Sequence, residues 1–316
     1  MKALVTGGAG FIGSHLVDAV LAAGADVVVL DDLSTGLREN VDERALLIEG
    51  DVADAATVAA AVRGCDTVFH LAARGSVQRS IVQPLATDRT NVAGTLNVLA
   101  AAHEAGATRV VVSSSSSVYG GAGPLPTSEA QPPHPRTPYA VSKLAGEHYA
   151  RVYTELHGMP TVSLRYFNVF GPRQRADSQY AAVVPRFIDA LRHGRPVEVH
   201  GDGRQSRDFT YVHAVVRANL AAARAPASVC AGHVYNVAGG DSHTVLDLLD
   251  VLAELLGAPP EVHHVPARSG DIRHSHASIV AAETDLGFRP EGSWRDGLAT
   301  TVAWWVQQRP LAERGA

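Results

Sequence analysis

Two hydrophobic patterns alternate along the first half of the chain. Short runs of β-branched and other apolar residues are typical of buried strands, and longer stretches with apolar residues every three or four positions are typical of helices. The pattern predicts six strands, at 2–6, 26–30, 45–49, 67–72, 109–114 and 161–166. It predicts the helices between them at 11–23, 54–63, 84–105 and 138–157. Strands joined by crossover helices lie parallel, so the fold class is α/β with a doubly wound parallel sheet.

The regular alternation ends near Phe167, where proline and glycine become frequent. Helices are predicted there at 181–193, 212–225, 244–256 and 296–307. The apolar run at 232–238 is typical of another buried strand that returns to the first sheet. We therefore expect a nucleotide-binding domain over residues 1–166, with a return near 212–238. A smaller α/β substrate-binding domain should occupy most of residues 167–316.

The composition is that of an ordinary globular protein with few exceptional features. The net charge of −5 provides no basic surface for binding nucleic acid. Cys65 and Cys230 do not form a C-x-x-C pair, and the fifteen histidines contain no H-x-x-x-H motif, so no metal site is predicted. The N-terminus does not resemble a signal peptide, and no apolar run reaches the ~20 residues of a membrane span. We expect a cytoplasmic protein with neither nucleic acid nor a membrane as a partner.

A glycine-rich segment, Gly7-Gly8-Ala9-Gly10-Phe11-Ile12-Gly13, directly follows the first predicted strand. Glycines at such a turn let backbone N–H groups approach a pyrophosphate at a helix N-terminus. Asp31 lies 18 positions after Gly13, close to the spacing of a carboxylate that binds the adenosine ribose and repels a 2′-phosphate. The sequence therefore predicts a Rossmann-type fold that binds NAD rather than NADP. Asp32 could exchange roles with Asp31, and Asp51 would either face the adenine or cap the next helix.

Tyr139 and Lys143 are a candidate catalytic pair on the predicted helix at 138–157. Residues four apart share one helix face, and a nearby ammonium stabilises a phenolate, which makes the tyrosine a usable base. The same spacing also occurs in helices where the tyrosine only packs and the lysine is exposed. The serines at 113–117 end the fifth strand, where parallel strands line a ligand crevice. One of these hydroxyls is predicted to reach both the substrate and the phenol.

Six segments together resemble the extended short-chain dehydrogenases that act on nucleotide sugars, the NAD-dependent epimerase/dehydratase group. The segments are TGGAGFIGSHLVD (6–18), SSSSSVYG (113–120), YAVSK (139–143), RYFNVFGPRQ (165–174), GDGRQSRDFTYV (201–212) and RSGDIRHS (268–275). The resemblance is to UDP-glucose and UDP-N-acetylglucosamine 4-epimerases. It implies that a UDP-sugar is oxidised at C4 to a 4-keto intermediate and reduced on its other face, with NAD kept bound.

The resemblance also implies roles for individual residues. Those that match the catalytic set are Ser115, Tyr139 and Lys143. Those that match the cofactor site are Gly7, Gly10, Phe11, Ile12, Gly13, Asp31, Asp32, Asp51, Val52, Leu71, Ala72, Ala73, Asn91, Tyr139, Lys143 and Tyr166. Those that match the substrate site are Ser115, Ser117, Asn168, Val184, Arg207, Arg268, Asp271 and Ser275. Arg207 and Arg268 would hold the UDP diphosphate, and Asp271 the uridine ribose.

Two positions bear on which reaction the chain catalyses. In the dehydratases and decarboxylases of the family an acidic residue precedes Val-Tyr-Gly, whereas this chain has Ser116 and Ser117. A hydroxyl cannot replace a carboxyl group as a general acid at neutral pH, so the resemblance favours an epimerase over a dehydratase or decarboxylase. A UDP-glucuronate 4-epimerase and an NAD-sensing regulator without activity remain as alternatives.

The resemblance has two further implications, one for the sugar and one for assembly. Ser275 matches a position where epimerases restricted to UDP-glucose and UDP-galactose carry tyrosine, and a small residue there leaves room for an acetamido group. The segment at 76–87 also resembles the branch that accepts acetamido sugars. UDP-N-acetylglucosamine and UDP-N-acetylgalactosamine should therefore be accepted as well. A homodimer is implied through helices 84–105 and 138–157, although small residues at 91–107 would equally suit packing on the sheet.

Overall fold

The computed structural model describes residues 1–176, 182–267 and 272–308, and a parallel sheet lies at its centre. The strands in chain order are β1 (Lys2–Thr6), β2 (Asp26–Asp31), β3 (Leu46–Glu49), β4 (Thr67–His70), β5 (Arg109–Ser115), β6 (Thr161–Tyr166), β7 (Val169–Phe170), β8 (Val197–His200), β9 (Ser206–Asp208), β10 (Thr210–Tyr211), β11 (His233–Val237), β12 (Ser242–Thr244) and β13 (Val262–Val265). Seven of them form the central sheet in the order β11-β6-β5-β4-β1-β2-β3, and all neighbours are parallel. The predicted doubly wound α/β sheet is therefore confirmed.

Helices cover both faces of this sheet. The helices of the described residues, in chain order, are α1 (Phe11–Ala22), α2 (Ala55–Ala61), α3 (Val77–Val82), α4 (Pro84–Asp88), α5 (Gly94–Glu104), α6 (Pro138–His157), α7 (Val183–Arg192), α8 (Val212–Arg224), α9 (Ala227–Cys230), α10 (Val245–Leu256), α11 (Val280–Leu286) and α12 (Trp294–Gln308). None of the helices in the described ranges is long and apolar enough to cross a bilayer.

One predicted helix differs from the structure. The single helix expected at 84–105 is made of α4, a π-helical turn over Arg89–Ala93, and α5, and it is preceded by the unpredicted α3. A π turn inserts one extra residue into a helix without changing which residues are apolar. The spacing of apolar residues over 84–105 therefore could not reveal the π-helical turn.

Alternate residues of each central strand face opposite apolar layers, as the two-residue period of a strand requires. In β1, Val5 packs against Leu16 of α1, and its neighbour Leu4 packs in the layer of Val98 and Leu99 of α5. α1 and α8 cover the first face, and α2, α5 and α6 cover the second. Strands that are buried on both faces consist of nearly continuous apolar residues, which explains why the sequence pattern predicted them.

A separate apolar core lies in the C-terminal half of the chain. It contains Phe187 of α7, Leu248 of α10 and Trp305 of α12, and β8 pairs in parallel with β13 beside it. β11 leaves this half and pairs in parallel with β6 at the edge of the central sheet. The chain thus returns to the central sheet at β11, after α7 and α8.

A buried ion pair joins α6 to the sheet. Glu147 of α6 accepts hydrogen bonds from Arg165 of β6, at 2.8 Å from Nε and 2.6 Å from Nη2, and the two side chains are only 4% and 5% exposed. Arg165 Nη1 also donates to the Tyr119 hydroxyl at 2.7 Å, which donates to Asn236 of β11 at 2.8 Å. Ser114 of β5 donates a further hydrogen bond to Glu147. One network thus ties α6 to three neighbouring strands.

Replacing Arg165 by alanine should lower the free energy of unfolding by about 3–5 kcal/mol, because Glu147 would keep a buried charge without its partner. Urea denaturation of the variant and the parent measures the difference. Arg38→Ala is the matched control, because its ion pair with Glu49 is exposed and should contribute less than about 1 kcal/mol. Similar losses in both variants would contradict the importance of the buried pair.

Candidate active site

A cleft of about 790 Å³ opens at the carboxyl ends of the central strands. This is the edge at which doubly wound sheets bind their ligands, and the volume is typical of a ligand site. The predicted cofactor residues that line it are Gly7, Gly10, Phe11, Ile12, Gly13, Asp31, Asp32, Asp51, Val52, Leu71, Ala72, Ala73, Tyr139, Lys143 and Tyr166. One cavity therefore brings together residues from the ends of six strands, β1 to β6, and from α6.

The glycine loop between β1 and α1 has room only for glycine at two points. Gly7 has a φ of +71°, and a Cβ there would lie 2.7 Å from the backbone nitrogen of Ala72. At Gly13 a Cβ would lie 2.1 Å from the carbonyl oxygen of Gly7. α1 then begins at Phe11 without a side-chain cap on Gly10, so the positive end of its dipole faces the cleft. This geometry fits the pyrophosphate of a dinucleotide.

Asp31 and Asp32 both line the cleft but are held differently. The buried Asp31 carboxylate accepts backbone N–H bonds from Ala9 and Leu33, both at 2.9 Å. Burial raises the pKa of Asp31, and these two hydrogen bonds oppose that increase. Asp32 is exposed and accepts from the amide and hydroxyl of Ser34, at 2.9 and 2.6 Å. Asp31 therefore holds the glycine loop through Ala9 as well as lining the cleft.

Asp51 does not cap the helix that follows it. Its carboxylate accepts from the Ala53 amide at 2.9 Å and pairs with Arg89 at 3.2 Å, while the cap of α2 is Asp54. The alternative role of Asp51 as a helix cap is therefore wrong. Its position in the cleft wall beside Val52 is compatible with a contact to the adenine.

Tyr139 and Lys143 lie in the first two turns of α6 and line the cleft. The Lys143 ammonium donates to the backbone oxygen of Ser113 at 2.9 Å and to its hydroxyl at 3.3 Å. Burial lowers the pKa of Lys143 to about 8, and the nearby Glu147 carboxylate opposes that decrease. Burial also raises the pKa of Tyr139, and a hydrogen bond with Ser115 opposes that increase. The Tyr139 phenol thus lies beside Ser115, and the Lys143 ammonium lies one helical turn further along α6, beside Ser113.

The serine-rich turn after β5 contributes an unpartnered hydroxyl. Ser115 accepts from the Ser117 amide at 3.2 Å, which starts the 3₁₀ turn Ser116–Tyr119. The Ser117 hydroxyl is buried and has no hydrogen-bond partner among the residues that the structure describes. Buried polar atoms normally have a partner. Neither Ser115 nor Ser117 is among the described residues that line the cleft.

Tyr166 and Asn168 follow β6 but have different surroundings. Tyr166 lines the cleft, and its hydroxyl lies 3.1 Å from Oδ1 and 2.8 Å from Nδ2 of Asn219. Asn168 has a φ of 35° and donates to the Asp208 carbonyl at 3.2 Å. It is not among the described residues that line the cleft. Asn168 therefore holds β9 and β10 against the end of β6 in this structure.

Two residues predicted for substrate binding lie beside each other on the C-terminal half. The Ser275 amide donates to the Ser206 carbonyl at 3.0 Å, next to Arg207 on β9. Ser275 is half-buried. Val184 lies elsewhere, in the apolar core of the C-terminal half. Arg268 and Asp271 lie outside the described residues.

Asn91 has a different position from the other predicted cofactor residues. It is buried in the π turn and is not among the described residues that line the cleft. Its Oδ1 accepts from the Arg74 amide at 2.8 Å, and its Nδ2 donates to the Ser142 hydroxyl at 2.9 Å. Asn91 thus joins the cleft-lining loop at Arg74 to Ser142 of α6 without lining the cleft itself.

Several lining residues were not predicted from the sequence. They are Leu30, Ser34, Thr35, Gly50, Arg74, Gly75, Ser76, Arg79, Thr90, Ser113, Ser114 and Arg175. Most are neighbours of predicted residues, so adjacency could have found them. Arg175 could not be found in this way, because it reaches across the cleft to the Thr35 carbonyl, at 3.3 Å, from 140 positions away in the chain. No group of three or more His, Cys, Asp or Glu side chains converges anywhere in the described ranges.

The sequence and the structure both match known proteins. The model of the NAD-dependent epimerase/dehydratase family matches residues 3–238. The UDP-glucose 4-epimerase of Mycolicibacterium smegmatis is 40% identical over 309 residues, which covers 96% of this chain and 97% of the relative. The solved structure of UDP-glucose 4-epimerase from Thermotoga maritima with UDP-glucose superposes with a TM-score of 0.94, at 36% identity over 98% of this chain and 99% of that one.

A second solved structure carries a different sugar nucleotide. The UDP-N-acetylglucosamine 4-epimerase of Methanobrevibacter ruminantium, in complex with UDP-N-acetylmuramic acid, has a TM-score of 0.92 at 38% identity. The match covers 98% of this chain and 99% of that one. The family model matches most of the chain, and the relatives have nearly the same length. The protein therefore belongs to the NAD-dependent epimerase/dehydratase family.

Proposed function

We propose that the protein is a UDP-sugar 4-epimerase that interconverts UDP-glucose with UDP-galactose and UDP-N-acetylglucosamine with UDP-N-acetylgalactosamine. The observation that carries the proposal is the position of Tyr139 and Lys143 in the wall of the cleft that the glycine loop also lines, with Ser115 hydrogen-bonded to Tyr139. A tyrosine base next to a site for a hydride acceptor is suited to oxidising a secondary alcohol.

The acidic residues of the cleft favour an epimerase over a dehydratase. Among the described lining residues the carboxylates are Asp31, Asp32 and Asp51, which follow β2 and β3 at the far end from Tyr139. The buried carboxylate of Glu147 is already paired with Arg165. A dehydratase needs a general acid near the sugar, and hydroxyls cannot replace it.

The proposed roles follow from the positions of the side chains. Tyr139 removes the proton from the C4 hydroxyl and later returns it to the C4 oxygen when the sugar presents its other face. Ser115 orients the hydroxyl, and the Lys143 cation stabilises the phenolate. The glycine loop, Asp31 and the α6 pair would hold NAD, which supplies reversible hydride acceptance at C4 when bound.

Replacing Tyr139 by phenylalanine should lower kcat about 10²- to 10⁴-fold and leave UDP-sugar binding nearly unchanged, because only the proton-transfer group is removed. Conversion of UDP-glucose to UDP-galactose and the Kd for UDP measure the two effects. Tyr153→Phe is the matched control, because that tyrosine lies on the same helix and packs in the core with His157. An unchanged rate in Tyr139→Phe would exclude this residue as the base.

The proposed tolerance for acetamido sugars rests on Ser275. Its small side chain is half-buried and lies next to Arg207, the residue proposed to contact the diphosphate. A phenol ring at this point would occupy space that an acetamido group at C2 requires.

Ser275→Tyr should reduce kcat/KM about tenfold to hundredfold for the two acetylated sugars, with a much smaller change for UDP-glucose and UDP-galactose. Steady-state rates with all four substrates measure the selectivity. Ser275→Ala keeps the space open and should preserve the parent ratio. An equal loss on both substrate pairs in Ser275→Tyr would refute the pocket-wall role.

We also propose that the protein forms a homodimer through α4 and α6. The outer face of α6 exposes Val141, Val152 and Leu156, and α4, which packs beside it, exposes Leu85. Leu85 is 85% exposed and Leu156 is 73% exposed. Exposed apolar side chains on neighbouring helices are typical of an interaction surface, and a second copy presents the same surface about a twofold axis.

The double variant L85E/L156E should be a monomer at concentrations where the parent is a dimer, because charges in the centre of an apolar interface are strongly unfavourable. Light scattering coupled to gel filtration measures the mass. Leu46→Glu is the control, since Leu46 is also exposed but lies on β3 at the other edge of the sheet. A parent that is monomeric, or a double variant that remains dimeric, would contradict the proposal.

A further inference from the structure

The first turn of α6 depends on one hydrogen bond from outside the helix. Pro138 has no N–H group, the Ala140 N–H donates to the Thr137 hydroxyl at 3.2 Å, and the Val141 N–H donates to the Thr137 carbonyl at 3.0 Å. The remaining first-turn N–H is that of Tyr139, and it donates to the Ser80 hydroxyl at 3.1 Å. The backbone of the proposed base is therefore held by a different helix, α3.

The Ser80 hydroxyl has a fixed orientation. Ser80 is 0% exposed, and its hydroxyl donates to the Val77 carbonyl at 2.6 Å. A hydroxyl has one proton and two lone pairs, so this donation leaves a lone pair to accept from Tyr139. α3 itself is capped by Ser76, which accepts from the Arg79 amide at 3.1 Å and lines the cleft. Ser80 thus links Tyr139 to the wall of the cleft.

A second link holds the carbonyl side of Tyr139. The Ser142 hydroxyl donates to the Tyr139 carbonyl at 2.8 Å and accepts from Asn91, which in turn accepts from the Arg74 amide. Arg74 and Ser76 belong to the same cleft-lining loop. Both backbone polar groups of Tyr139 are therefore connected to the segment at 74–80.

We propose that Ser80 is a positioning residue, whose hydroxyl sets the place of the Tyr139 phenol relative to the loop that borders the cofactor. This role rests on the proposed function, because it requires Tyr139 to transfer a proton. Ser80 does not line the cleft itself and acts only through the backbone of Tyr139. It differs from an ordinary helix cap, since it fixes the helix end to a separate segment of the chain.

Removal of this hydroxyl should affect turnover more than binding. A misplacement of the order of 1 Å costs about 10²-fold in rate, so Ser80→Ala should lower kcat about 10- to 100-fold. KM for UDP-glucose should change less than about threefold, because Arg207 and Ser275 lie on other elements. The acid limb of the kcat profile should also move to higher pH, because a displaced phenol loses the hydrogen bond with Ser115 that lowers its pKa.

The test compares the NAD-loaded full-length variants Ser80→Ala, Thr137→Ala and Tyr139→Phe with the parent. Thr137→Ala is the matched control, because it removes the hydroxyl that caps the neighbouring amide of the same turn without touching the bond between Ser80 and Tyr139. The readouts are kcat, KM, the pH profile, Tm and deuterium exchange of peptides from the start of α6. Ser80→Cys, whose sulfur is a weak acceptor, replaces Ser80→Ala if that variant does not fold.

The expected result is a similar Tm for Ser80→Ala and Thr137→Ala, with a large loss of kcat and a shifted acid limb only in Ser80→Ala. Faster exchange at the start of α6 in Ser80→Ala should appear without substrate as well. Equal losses of kcat in the two variants, or a parent-like kcat in Ser80→Ala, would overturn the positioning role. An active Tyr139→Phe would instead overturn the proposed function, so the two failures are distinguishable.

Discussion

The buried ion pair between Glu147 and Arg165 constrains how α6 can lie on the sheet. A buried carboxylate without its partner is strongly unfavourable, so α6 packs in the register in which Glu147 meets β6. Tyr139 and Lys143 precede Glu147 by two turns and one turn on the same helix face. The register that satisfies the ion pair is therefore also the register that brings the phenol and the ammonium to the end of β5. The ion-pair residue and the proposed catalytic pair therefore lie on the same face of α6.

The two ends of the cleft have different chemistry. At the ends of β2 and β3 the wall carries carboxylates, which suit ribose hydroxyls and disfavour additional phosphate. At the end of β5 and the start of α6 it carries hydroxyls and a single buried ammonium with a pKa of about 8. The carboxylates and the phenol of Tyr139 therefore lie in separate parts of the wall. The proton transfer proposed for Tyr139 would take place away from these carboxylates.

The sequence indicated most of the central sheet, because each central strand is buried on both faces and stands out as an apolar run. It also indicated the glycine loop and the pair on α6, whose chemistry depends on short spacings. The π turn around Asn91 and the helix α3 were missed, because neither changes the apolar period. Arg175 and Ser80 were missed for another reason. Their roles depend on contacts between segments distant in the chain, and a single sequence does not record such distances.

The position of β11 has a consequence for the order in which the molecule is made. β11 pairs with β6, as His233 does with Val162, yet the whole segment between them must leave the ribosome first. Until then the edge of β6 is open, and the Tyr119 hydroxyl lacks its acceptor on Asn236. A nascent chain that ends before residue 237 therefore carries an incomplete sheet with an exposed strand edge. Completion of the sheet is therefore a late event in biosynthesis.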